Sequence, residues 1–78
     1  MSHTPHELND EFPQSIEKIH QLKQSNPHFA KLAKSHHQLN RDIHRMETDV
    51  EPVSDHTLEN LKKQRLALLD EISTLIAD

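Results

Sequence analysis

Two heptad series that mirror each other about one proline constrain this chain more than any other feature. Phe29, Leu32, His36, Leu39, Ile43 and Met46 advance in steps of 3, 4, 3, 4 and 3, and Leu58, Leu61, Arg65, Leu68, Ile72 and Leu75 do the same. Folding the chain at Pro52 sets 29 against 75, 32 against 72, 36 against 68, 39 against 65, 43 against 61 and 46 against 58. Each pairing places an a position opposite a d position, as an antiparallel two-helix coiled coil requires. The expected fold class is therefore all-α. It is an antiparallel helical hairpin with helices over residues 27–48 and 54–77, preceded by a short amphipathic N-terminal helix.

Composition narrows this further. Glycine is absent, which removes the phosphate-cradling loops and dinucleotide turns that need positive φ or close backbone approach. The 78 residues are 32% hydrophobic and 3% aromatic, enough for one small domain over 1–78 but too little for a conventional globular core. Self-association is the usual remedy for chains of this size, and a homodimer is the favoured expectation. Cysteine is also absent, so neither disulfides nor thiolate metal sites contribute. The longest apolar run, Leu66 to Leu69, is four residues. A bilayer span needs about 20, so a cytoplasmic protein without a membrane segment is expected.

Prolines punctuate the chain. Thr4-Pro5-His6-Glu7 has the form of a capping box, but Pro13 interrupts the turn that would follow. Residues 1–12 are thus expected to be a mobile segment and 13–24 the first helix, with Leu8, Phe12, Ile16, Ile19 and Leu22 on one stripe. Asn26 precedes Pro27 as N-cap and first helical residue, Ser54 caps the last helix, and Val53 with Leu58 has the spacing of a hydrophobic staple.

One flank of the seam is apolar. Ala33, Leu69 and Ile76 take e positions with Leu66 beside them, whereas Ser35, Asp42, Gln64 and Glu71 line the other flank. Either the first helix folds back over the apolar flank or a second subunit covers it. Ser25-Asn26 is short for a reversal, so the first helix is expected to overhang and join a dimer contact. The self-association residues on this reading are Ile16, Ile19, Leu66, Leu69 and Ile76, and a larger protein is a further possible partner.

Candidate chemistry is sparse. Eight histidines are present, yet no three or four of them, with or without carboxylates, fall at spacings that converge on one ion. No nucleophile–base pair is evident either. Neither a metal, a cofactor nor an enzymatic activity is expected. His36 and Arg65 are polar residues in the seam. His36 reads as a packed histidine with its ring edge exposed, or else as a pH-sensitive plug, and Arg65 as a register-setting residue whose stem covers apolar surface. Lys31, Lys34, Arg41 and Arg45 form a basic line on the outer face of residues 27–48. A polyanion-binding module is the alternative function. Nucleic acid is disfavoured by the net charge of −4 and the absence of Trp and Tyr.

A string of short motifs carries a family resemblance. It runs through Glu11-Phe12-Pro13, Asn26-Pro27-His28-Phe29, His37-Gln38-Leu39-Asn40, Ile43-His44-Arg45-Met46-Glu47, Glu51-Pro52-Val53-Ser54-Asp55 and Asp70-Glu71-Ile72. In order and spacing these resemble the YdcH-like family of small uncharacterised bacterial helical proteins. The resemblance implies a helical hairpin in a bacterial cytoplasm and supplies no activity. An aromatic is common in that family where this chain has His36, and a lysine where it has Leu69.

Overall fold

The computed structural model describes residues 6–48 and 54–77. Every regular element among them is a helix: α1 (Leu8–Glu11), α2 (Ile16–Ser25), α3 (Pro27–Thr48) and α4 (Asp55–Ala77). The joint 49–53, with Pro52 and the Val53 half of the staple, lies outside the described residues, as does the Thr4-Pro5 start of the capping box.

Local chemistry sets where the two long helices begin. Asn26 Oδ1 accepts the Phe29 N–H at 3.1 Å, and Ser54 Oγ accepts the Thr57 N–H at 3.1 Å. Both satisfy amides that the first turn of a helix leaves without a partner. Pro27 has no N–H to satisfy, so its place as first residue of α3 costs nothing.

α3 and α4 pack against each other, and none of the twelve residues of the two heptad series is exposed. Polar links between the helices run in reverse order along the two chains. His28 Nε2 is 3.4 Å from Glu71 Oε2, Arg65 Nη1 donates to Asn40 Oδ1 at 2.9 Å, and Lys62 Nζ is 2.9 Å from Glu47 Oε2. The longest dimension of the molecule is 39 Å, close to the ~34 Å length of one 23-residue helix. The two long helices therefore lie beside each other rather than end to end.

The N-terminal segment departs from expectation in two ways. First, the helix expected over 13–24 begins only at Ile16, and the segment expected to be mobile contains α1, whose Leu8 is buried. Phe12, with φ −128° and ψ 64°, ends α1 because a residue before proline is pushed out of the α region. The Ser15 N–H then bonds the Phe12 carbonyl at 3.0 Å and turns the chain into α2.

Second, α2 does not overhang. It folds back so that Leu8 and Ile19 join Phe29, Leu32, Ala33 and Ile72 in one core, with Phe12, Leu22, Leu69 and Ile76 packed around it. The reversal needs a single extended residue. Asn26 (φ −123°, ψ 102°) ends α2 by donating its N–H to the Leu22 carbonyl at 2.9 Å. The same residue starts α3 through its side chain and its carbonyl, which accepts the Ala30 N–H at 3.0 Å. The apolar flank of the seam is thus covered in part by the same chain, with Leu66 left outside the cover.

Because Asn26 serves both helices, Asn26→Ala is expected to lower stability by about 1 kcal/mol, and Asn26→Gly by only a few tenths. Urea denaturation followed by circular dichroism measures both. An Ala variant as stable as the parent would remove the cap from the account.

Candidate functional site

The residues expected to mediate self-association separate into three groups. Leu66 is 60% exposed and Ile16 45% exposed, the two large apolar side chains left most open to solvent among the described residues. Leu69 and Ile76 are half-buried against the core. Ile19, at 1% exposure, is enclosed within its own chain and is not available to a second subunit. That corrects the expectation for Ile19, and its cause is the reversal at Asn26. The surface that remains centres on Leu66, on the outside of α4.

The basic residues are all exposed along α3: Lys31, Lys34, Arg41 and Arg45. Arg45 Nη2 bonds Asp42 Oδ1 at 3.3 Å, a pair one turn apart. Lys34 also borders two surface hollows, one against α1 and the other against α4.

Of the two polar seam residues, Arg65 joins a part-buried cluster around Asn40. Asn40 is fully buried at an e position. Its Oδ1 accepts from Arg65 Nη1 at 2.9 Å, and its Nδ2 donates to Glu7 Oε1 at 3.2 Å. An acceptor toward the guanidinium and a donor toward the carboxylate leave the amide one sensible orientation. The second oxygen of Glu7 accepts from His37 Nδ1 at 3.2 Å. Glu7 thereby ties the start of α1 to α3. Just before it, His6 takes φ 65°, and its ring Nδ1 bonds Glu11 Oε1 at 2.7 Å.

Neither Asn40 nor Glu7 stands out in the sequence. Two α3 e positions of that flank are polar, Asn40 and Glu47, so the pattern marks Asn40 only by its place at nearly the level of Arg65. Glu7 lies 33 residues from Asn40 and belongs to no periodic pattern.

His36 sits beside this cluster and differs from expectation. The ring edge expected in solvent is fully buried, and neither ring nitrogen has a hydrogen-bond partner. The residue borders a cleft of about 620 Å³ between α1 and α3, shared with Glu7, Leu8 and Ala33. Burial pushes the His36 pKa below its ordinary value of 6.5. Glu7 and Glu11 oppose that shift, while Arg65 and His37 reinforce it.

Elsewhere, the Lys62 ammonium bonded to Glu47 holds that carboxyl below the usual carboxylate range. No group of three or more His, Cys, Asp or Glu among the described residues is placed to hold a metal ion. No described helix is long and apolar enough to cross a membrane.

A small all-helical protein with one short N-terminal clasp across two long helices is the class that this geometry defines. Within that class the chain belongs to the family described as "Protein of unknown function (DUF465)", matched over residues 29–76, in line with the YdcH-like motifs. The matched span begins at Phe29 and takes in nearly all of α3 and α4. Comparison with curated proteins found no match, and neither did comparison with solved structures.

The buried His36 has a consequence for pH. Its depressed pKa means that the unfolded chain binds a proton that the folded chain resists, so its contribution to stability is full above about pH 6.5 and is lost as pH falls from there toward the lowered folded value. The parent is therefore expected to lose more stability than His36→Leu between about pH 7.5 and about pH 5.5. Near pH 7.5 the leucine variant should be the more stable by on the order of 1 kcal/mol, because it removes two unpartnered nitrogens. Thermal melts at the two pH values test this, and equal pH sensitivity of parent and variant would contradict it.

Proposed function

We propose that this chain is a non-catalytic helical interaction module that associates with a second copy of itself through the outer face of α4. The observation that carries the reading is Leu66, an aliphatic side chain 60% exposed on the longest helix, with half-buried Leu69 beside it. Scattered exposed leucines are ordinary on protein surfaces. Leu66 differs in lying next to an apolar flank that α1 and α2 close only in part, so that apolar surface runs on from Leu69 to the outside. Ile76 and Ile16 are the further members of the surface.

The reading includes an antiparallel coiled-coil hairpin of α3 and α4 as the platform that presents this face. The reverse order of the 28–71, 40–65 and 47–62 contacts supports that register. A small chain gains from association because its own core buries little of its apolar surface.

A polyanion-binding module is the second reading. It draws on the exposed line Lys31, Lys34 and Arg41, none of which pairs with a carboxylate among the described residues. Arg45, held by Asp42, contributes less.

Leu66→Lys is expected to weaken self-association at least tenfold, about 1.4 kcal/mol, while changing the stability of the monomer by no more than about 0.5 kcal/mol. Sedimentation velocity over a concentration series reads the first quantity and denaturation the second. A parent chain that is monomeric throughout sinks the reading. If instead Lys34→Glu with Arg41→Glu abolishes retention on a polyanion column, and the parent's retention falls steeply with salt, the second reading takes its place.

A further inference from the structure

The charges on the outside of α4 are ordered about Leu66. Lys62 and Lys63 precede it and Asp70 follows it, all three exposed. Steps of four residues from Leu66 reach Lys62 in one direction and Asp70 in the other, so the three share one stripe of the helix. The Asp70 carboxylate has no cationic partner among the described residues. The hydrogen bond at that position is made by its backbone carbonyl, which accepts from Thr74 Oγ1 at 3.0 Å. Lys62 bonds Glu47 at 2.9 Å, but an ammonium has three donors and this pair is open to solvent on both sides.

We infer that the self-association surface is an antiparallel pairing of α4 with α4 of a second copy, about a two-fold axis at Leu66, with Lys62 of each copy against Asp70 of the other. The inference rests on the self-association reading above and adds its register. In that register any two positions summing to 132 share a layer. Leu66 meets itself on the axis, Lys62 meets Asp70, Lys63 lays its aliphatic stem over Leu69, and Glu59 meets Ser73. The pairing buries the leucine and gives Asp70 its missing cation, twice, by symmetry.

Other arrangements of the same face are worse. A parallel pairing sets Lys62 on Lys62 and Asp70 on Asp70, which like-charge repulsion opposes. An antiparallel pairing slipped by four residues sets Leu66 against Lys62 or against Asp70 and loses the leucine contact. The charge order therefore selects both direction and register.

The absence of cysteine makes this directly testable on the full chain. In separate variants carrying one cysteine each, Leu66→Cys lies on the axis and should form a disulfide-linked dimer under mild oxidation. Lys62→Cys should not, because two copies of position 62 are about 12 Å apart along the helices at 1.5 Å rise per residue, and a disulfide spans at most about 7 Å between Cα atoms.

Charge reversal gives a second readout by sedimentation. Asp70→Lys and Lys62→Glu should each weaken the dimer at least tenfold, and the double variant should return to within about threefold of the parent. Melting curves establish that each variant is folded, and Asp70→Lys breaks no ion pair described within the chain.

Equal crosslinking at 62 and 66, or a double variant no better than the worse single one, overturns the register. Leu66→Lys that dissociates the dimer while charge reversal has no effect overturns the register alone and leaves self-association standing. A parent that never dimerises overturns both.

Discussion

The structure depends on one closure: α2 folding back at Asn26 to lay Ile19 on the apolar flank of the long helix pair. Without it, Phe29, Ala33 and Ile72 would border solvent along one side, and a two-helix seam broken by His36 and Arg65 would have to stand alone. Full burial of an aliphatic side chain contributes roughly 1.5–3 kcal/mol, so Leu8 and Ile19 together weigh heavily in a domain of this size. A single extended residue makes the closure possible because Asn26 caps in both directions and Pro27 needs no amide partner.

That closure also explains the polar interior. Arg65 at the seam brings a guanidinium close to α3, where Asn40 receives it and passes the hydrogen bonding on to Glu7. A buried amide between a cation and an anion satisfies both without putting the two charges in direct contact. His36 is the member left out. It is fully buried with both ring nitrogens unpartnered, a local conflict between the packing, which buries that position, and a side chain that asks for a hydrogen bond. In proteins such conflicts concentrate where stability yields to another requirement.

How much of this was legible in the sequence follows from the range of each signal. Heptad spacing and cap chemistry act within a few residues, so the residues withdrawn from solvent on α3 and α4 and the starts of both helices can be read from the sequence at Phe29–Leu75, Asn26-Pro27 and Ser54. The apolar flank was equally plain from Ala33, Leu69 and Ile76. What covers it was not, because periodicity identifies a sticky face without saying whose face meets it. The shortness of the Ser25-Asn26 joint points Ile19 toward a second subunit, whereas one asparagine capping both helices lets the joint reverse within two residues. Glu7 was beyond reach, since its partners lie about 30 residues away and no local rule links them.

With Ile19 enclosed, the case for self-association narrows to the outside of α4, where Leu66 and the charges about it form a smaller and more specific surface. The claim beneath all of this is that α1–α2 closes the flank of its own chain at neutral pH. Isotope-filtered nuclear Overhauser spectra on an equal mixture of labelled and unlabelled protein measure it most directly. The account predicts cross-peaks between Ile19 and the α3 core residues within one chain and none between chains. Strong cross-peaks from Ile19 of one chain to α3 of another would contradict it.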